Sequence, residues 1–167
     1  KSSAECFQRE LLSRMAAIGS LEGSEEKGVE GVLEPDVMME QVHRVRGGML
    51  FELAFIAPRL LEVPVDPRQL SRAQAAISKL GTAFQIVDDL TDFEFDLTRG
   101  SHNLLVSQIT HCGSAEEQRR LRALGGRPPG AGDVVAEMFP DSGRGVIERG
   151  GKEAREALEE LQSLGFW

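Results

Sequence analysis

Asp88, Asp89, Asp92 and Asp96 recur at spacings of three and four residues, and Gln85 stands one turn ahead of them. On a helix that turns about 100° per residue, these five side chains fall within an arc of roughly 100°. Carboxylates stacked this closely repel one another, and burial raises their pKa values as well. A divalent cation removes both penalties. Mg²⁺ takes one or two protein carboxylates, keeps several waters and shares its remaining positions with substrate phosphates. The chemistry within reach of these residues is therefore metal-assisted handling of a phosphate-bearing ligand. The competing reading of any Asp-x-x-x-Asp is a solvated acidic face. Here the stripe is backed by Phe84, Ile86 and Val87 rather than by lysines and glutamates, which favours a site.

The acidic row needs a long helix to carry it. Asp66 is suited to cap that helix and Pro67 to open it, and the pattern runs to about Thr98, with Gly100 as its stop. Leu80, Ala83, Phe84, Ile86, Val87, Leu90 and Phe93 form its other side, which is expected to be buried. Gly81, Ser78 and Gln74 continue the acidic face backward as small or uncharged residues, as the wall of a cavity would be. A second helix opens at Pro35 and stops at Pro58, with Val63-Pro64-Val65-Asp66-Pro67 as a stiff connector. Gly47-Gly48 interrupts it, at about 1 kcal/mol per glycine. That pair implies close packing, a kink or a ligand against the backbone. His43 and Arg46 lie one turn apart on the same helix. His43 alone reads as a satisfied histidine rather than a ligand.

The remaining elements are helical or irregular. Ser3 is expected to cap a helix over residues 3–18, closed by Gly19, and residues 20–33 read as a mobile loop. Ser101-His102-Asn103 breaks the pattern. A helix starts at Leu104, and Ser114 caps another over Ala115–Leu124. Residues 125–130 and 141–145 read as loops, with a short helix at best between Val134 and Phe139. Glu153–Leu164 reads as a surface helix with an apolar stripe of Ala157, Leu158, Leu161 and Leu164. No strand pattern is present, so the predicted class is all-α, with residues 1–167 as one domain.

Composition narrows the partners. The 167 residues are 41% hydrophobic, enough for a real core, and the net charge is −8. That charge argues against nucleic acid and against an anionic membrane surface. No apolar run approaches 18 residues, so stable membrane insertion is not expected. Cys6 and Cys112 are too few for a disulfide framework and fit two free thiols in a reducing, cytoplasmic setting. The chain begins at Lys1 without Met and is expected to be part of a longer protein.

The stretch Gly81-x-x-Phe84-Gln85-x-x-Asp88-Asp89-x-x-Asp92 resembles the second aspartate-rich motif of the trans-isoprenyl diphosphate synthases, the polyprenyl synthetase family. Arg46-Gly47-Gly48-Met49-Leu50-Phe51 is similar to that family's Lys-Thr-Gly-x-Leu-Phe. Asp96-Leu97-Thr98-Arg99-Gly100 stands where the family has Asp-Leu-x-x-Gly, and Ser101 replaces the Lys that follows. The likeness runs from about Met38 to Ile109. It implies the all-α isoprenoid synthase bundle, a homodimer, and Mg²⁺-dependent condensation of an allylic diphosphate with isopentenyl diphosphate. It also implies roles. Asp88 and Asp92 hold the metal, Asp89 assists or orients water, and Arg46 contacts diphosphate. Phe84 and Gln85 line the cavity, with Asp96 beside the substrate. No Asp-Asp pair precedes Asp88, so the family's first aspartate motif is expected upstream of Lys1. Two alternatives stay open. Gln85, Asp92, Asp96 and Gly100 match squalene/phytoene synthase spacing. Gly47 and Ser101 suit a non-catalytic partner or regulatory subunit with the same fold.

Overall fold

The computed structural model describes residues 2–61, 66–130 and 134–166. Among these residues every regular element is helical and no strand occurs, as the sequence pattern predicts. α1 (Ser3–Ser24) is capped by Ser2, not Ser3: the Ser2 hydroxyl accepts from Glu5 N–H, and the Glu5 carboxylate accepts from Ser2 N–H. Nor does Gly19 end the helix. A β-carbon there would have no neighbour, so the glycine is solvated and costs only its own entropy. Beyond it Leu21 packs on the core and Glu22 pairs with Arg46, which extends the helix into residues predicted to be a loop.

One continuous helical run follows. It comprises α2 (Pro35–Met38), π-helical turns over Met39–Gly48, α3 (Met49–Glu52), a 3₁₀ turn at Leu53–Phe55, and α4 (Ile56–Leu61). Pro58 therefore does not stop the chain. The run is re-initiated at Ile56, and Pro58 lies in the first turn of α4, where an N–H has no intrahelical partner to lose. The π turns end at Gly47-Gly48, where the run crosses α5 (Pro67–Thr91). A β-carbon on Gly47 would lie 2.2 Å from the Gly81 carbonyl oxygen, and one on Gly81 would lie 2.4 Å from the Gly47 oxygen. Of the three explanations for the glycine pair, close packing of two backbones is the one observed.

Asp66 caps α5 through Arg68 N–H at 2.9 Å, with Pro67 at the first helical position, as expected. The earlier part of the predicted connector, residues 63–65, lies outside the described residues. The long acidic helix is two helices. α5 ends at Thr91, the chain bends at Asp92, and α6 (Phe93–Arg99) continues to the left-handed Gly100 at φ 67°. Then come α7 (Leu104–Cys112), α8 (Ala115–Leu124), α9 (Val135–Met138) and α10 (Pro140–Ser163).

α10 absorbs the loop predicted at residues 141–145, and the reason lies in another helix. The Glu117 carboxylate on α8 accepts from Asp141 N–H and Ser142 N–H, both at 3.1 Å, and from Ser142 Oγ at 2.9 Å. The first turn of α10 thus has its orphan donors satisfied from outside. Burial pushes the Glu117 carboxyl up, but the bonds from Ser142, Ser114 and Asp141 outweigh it and hold the group below its ordinary value.

α10 runs antiparallel to α5, with Arg72 pairing with Glu160, Lys79 with Glu156, and Gly150 seated on Ile86. Of its predicted stripe, Ala157 and Leu161 are buried, whereas Leu158 faces solvent. The main core gathers Val42, Ile86, Phe93, Leu104, Phe139 and Val146 where the second helical run, α5, α6, α7 and α10 meet. The expected burial of the apolar side of α5 holds only in part. Ala83 and Ile86 are inside, but Phe84 is 59% exposed and Val87 55% exposed. They open onto an apolar groove shared with Ile147 on α10. Among the described residues, no helix is long and apolar enough to cross a membrane. Cys6 and Cys112 are free thiols.

Candidate functional site

The aspartate row divides at the end of α5. Asp88 and Asp92 are exposed and one turn apart, and Asp96 follows on α6. These three, with Gln85, Arg46, Arg99, Ser101, Glu22 and Glu25, line a cleft of about 300 Å³. Gln85 Nε2 donates to Asp88 Oδ2 at 3.2 Å and so fixes that carboxylate from behind. The bend at Asp92 lets the acidic row continue onto α6 rather than along a straight helix.

Asp89, grouped with these acids by spacing, turns inward and is 2% exposed. Its Oδ2 accepts from His43 Nε2 at 2.9 Å and from Leu104 N–H at 2.5 Å, and its Oδ1 accepts from Gln85 Nε2 at 3.2 Å. A carboxylate acceptor requires His43 to carry its proton on Nε2. The other ring nitrogen, Nδ1, faces the Met38 carbonyl at 3.4 Å. Asp89 therefore joins the π-helical turns, α5 and the start of α7. Asn103 completes the joint. Its Nδ2 donates to the Asp89 carbonyl at 2.6 Å, in the last turn of α5, and to Asp96 Oδ2 at 2.9 Å. Its Oδ1 accepts from Leu105 N–H and Val106 N–H and caps α7.

Arg46 reaches the cleft from the π-helical turns. Its Nε donates to Glu22 at 2.5 Å and its Nη2 to Glu25 at 2.7 Å. Burial alone would lower the guanidinium pKa, but the charges of Glu25 and Glu22 reverse this and raise it. Glu25 is buried and also accepts from His102 N–H at 3.1 Å. On the far rim, Arg99 lies over the Phe95 ring, 5.2 Å from its centroid.

A second space adjoins the acidic cleft. A trough of about 400 Å³ is walled by Ile18, Leu50, Phe51 and Phe84, with Gly47 and Gly81 on its floor, and shares Glu22, Arg46, Gln85 and Asp88 with the cleft. Phe51 and Phe84 stack with ring centroids 5.5 Å apart. The Gly47–Gly81 contact thus lies beneath the junction of an acidic space and an apolar one.

The burial of Asp96, with the nearby charges of Asp89 and Asp92, pushes its carboxyl up to about 6, against the bond from Asn103 and the charge of Arg46. A folded pKa above the unfolded value means that the native state holds more protons between pH 4 and 6. Its stability must then fall as pH rises through that window. After discounting for the partial exposure of Asp96, the loss is about 1–2 kcal/mol. Asp96→Asn should remove it. In metal-free buffer, the variant's melting temperature should overtake that of the parent progressively from pH 4 to 6.5. A constant difference across that range would refute the coupling.

The structure brings Arg46, Gln85, Asp88, Asp92 and Asp96 to one cleft, places Phe84 on the adjoining trough, and takes Asp89 into the interior. Glu22, Glu25, His43 and Asn103 are additions that the spacing of the motif does not reveal. His43 had a signal, since it sits one turn from Arg46. Asn103 had one as the residue ahead of an apolar helical run. Glu25 had none. Donor chemistry and exposure suit Asp88 and Asp92 to a hard cation that keeps most of its water. Among the described residues no group of three or more His, Cys, Asp or Glu side chains is placed to hold a metal ion. Comparison with family models, with curated proteins and with solved structures gives no match to this chain.

Proposed function

We propose that this chain binds an isoprenoid diphosphate and forms part of an isoprenyl diphosphate synthase-type transferase of the isoprenoid synthase fold. One observation carries the reading: the acidic cleft and the apolar trough adjoin, with Glu22, Arg46, Gln85 and Asp88 lining both. A ligand that fits both has a charged head able to share a divalent cation and an apolar tail. Asp88 and Asp92 would hold Mg²⁺, which supplies neutralisation of the charge developing on a departing diphosphate. Gln85 holds the Asp88 carboxylate in position, and Arg46 offers the diphosphate a planar donor fork. Phe51 and Phe84 pack along the tail and exclude water from it. A cytoplasmic homodimer belongs to the same proposal.

The test is synergy. Ligand that binds only the native state stabilises it by RT ln(1 + [L]/Kd), about 2.7 kcal/mol at a hundredfold excess over Kd. Mg²⁺ and pyrophosphate together should raise the melting temperature by this order, and neither alone should approach it. Asp88→Asn should abolish most of the joint effect. If the variant responds as the parent does, the site is misassigned. A non-catalytic relative of the enzymes, the second reading, shows the synergy without turning over isopentenyl and allylic diphosphates.

A further inference from the structure

We infer that Glu22 is an internal competitor for the anion-binding face of Arg46, so that a diphosphate must displace it to reach the cleft. The inference rests on the site reading above and adds its regulation. Arg46 and Arg99 are the two cations lining the cleft, and Arg46 alone also lines the trough, so it is the donor at the junction of head and tail. Its Nε and Nη2 are both engaged by carboxylates, the arrangement in which a guanidinium receives a bidentate anion. The two carboxylates are held differently. Glu25 is buried at 4% exposure and is fixed by a second bond, from His102 N–H. The Glu22 side chain is 54% exposed, and Arg46 is its one hydrogen-bond partner among the described residues. Glu25 therefore aims Arg46, while Glu22 occupies the position that an incoming anion can take.

The element that brings Glu22 there is loosely held. α1 has no buried residue along its length. Besides the Glu22 and Glu25 contacts and the half-buried Leu21 against the core, it is tied to the body by Arg14 to Glu52 and by Glu10 to Arg59. Its Ile18 and Glu22 form one wall of the trough. Displacing Glu22 therefore frees Arg46 and loosens a wall of the tail site in one movement.

The experiment is a calorimetric titration with inorganic pyrophosphate at fixed Mg²⁺, comparing the parent chain, Glu22→Gln and Glu26→Gln. Glu26 is exposed and lies outside the cleft lining, so its variant measures the gain from removing one negative charge nearby. Glu22→Gln should bind about fivefold more tightly than Glu26→Gln, the size of one partly exposed ion pair. Glu22→Asp, whose shorter side chain keeps the charge but not the reach, should also bind more tightly than the parent. If the parent binds and Glu22→Gln is no tighter than Glu26→Gln, the inference is overturned and the site reading stands. If none of the four proteins binds, both fall together.

Discussion

Gly47→Ala is expected to cost at least 4 kcal/mol and to lower the melting temperature by more than 10 °C. The substitution adds one methyl group, and in an exposed helix it would stabilise the chain by about 1 kcal/mol. Here the new carbon would stand 2.2 Å from the Gly81 carbonyl oxygen and 2.8 Å from its carbonyl carbon. Both obstacles are backbone, so no rotamer change relieves them. The π-helical turns and α5 must move apart by about 1 Å, which loosens the core at the same crossing. Ordinary overpacking costs about 1–3 kcal/mol where side chains can adjust, and this site has no such freedom. Gly81→Ala should behave alike, since its β-carbon meets the Gly47 oxygen at 2.4 Å. Gly19→Ala supplies the contrast, because nothing lies within 4 Å and the position is helical. It should gain up to about 1 kcal/mol. Thermal denaturation of the three variants decides the matter. Three similar shifts would show that the two backbones do not meet as described.

The second large effect separates two neighbouring residues of the same type. Asp89→Ala should cost about 3–5 kcal/mol, the order expected for orphaning two buried donors at about 1–3 kcal/mol each. It strands the buried His43 and leaves the Leu104 N–H without its acceptor, and an unpaired buried donor carries the full cost of its lost hydration. Asp88→Ala removes an exposed carboxylate from a repelling row and breaks only the bond from Gln85 Nε2. Its effect should lie within about 0.5 kcal/mol of zero, with a gain more natural than a loss. Chemical denaturation should therefore rank adjacent aspartates at least 2 kcal/mol apart. Comparable losses would mean that Asp89 is not the structural joint and that the two acids share one role.

These two cases show what the sequence discloses and what it does not. The caps at Asp66 and Ser114, the stop at Gly100, and the all-helical class depend on local chemistry, and each was legible. The division of labour between Asp88 and Asp89 was not, because both lie on one helical arc. What turns Asp89 inward is His43, 46 residues away in the chain, and Leu104, 15 residues away. The errors at residues 141–145 and at Gly19 share that cause. Asp141-Ser142-Gly143-Arg144-Gly145 has loop composition, and it is helical because Glu117 supplies acceptors from α8. Glycine was read as punctuation at Gly19, where it is only solvated, and as an open question at Gly47, where it permits a contact. Nothing at either position differs except the partner. Within the site, the carboxylates were found from their type and spacing and Arg46 from the family resemblance, whereas Glu22 and Glu25 belong to a segment whose composition suggested mobility.

The Glu117 clamp also bears on how fast the chain can find its fold. The contacts between α5 and α10 join residues 77 and 88 positions apart, as in Lys79–Glu156 and Arg72–Glu160. Closing so long a loop is the slow kind of event, and rate falls as the separation of contacting residues grows. Asp141 lies only 24 positions from Glu117. If α7 and α8 dock first, the start of α10 would be recruited over this shorter span, with the rest of the helix closing along α5 from a tethered end. By the logarithmic dependence of closure entropy on loop length, this threefold shortening removes about 1 kcal/mol from the barrier. One carboxylate on a surface helix is thus placed to act as a folding staple as well as a cap: it makes the long closure between α5 and α10 the last step of a relay.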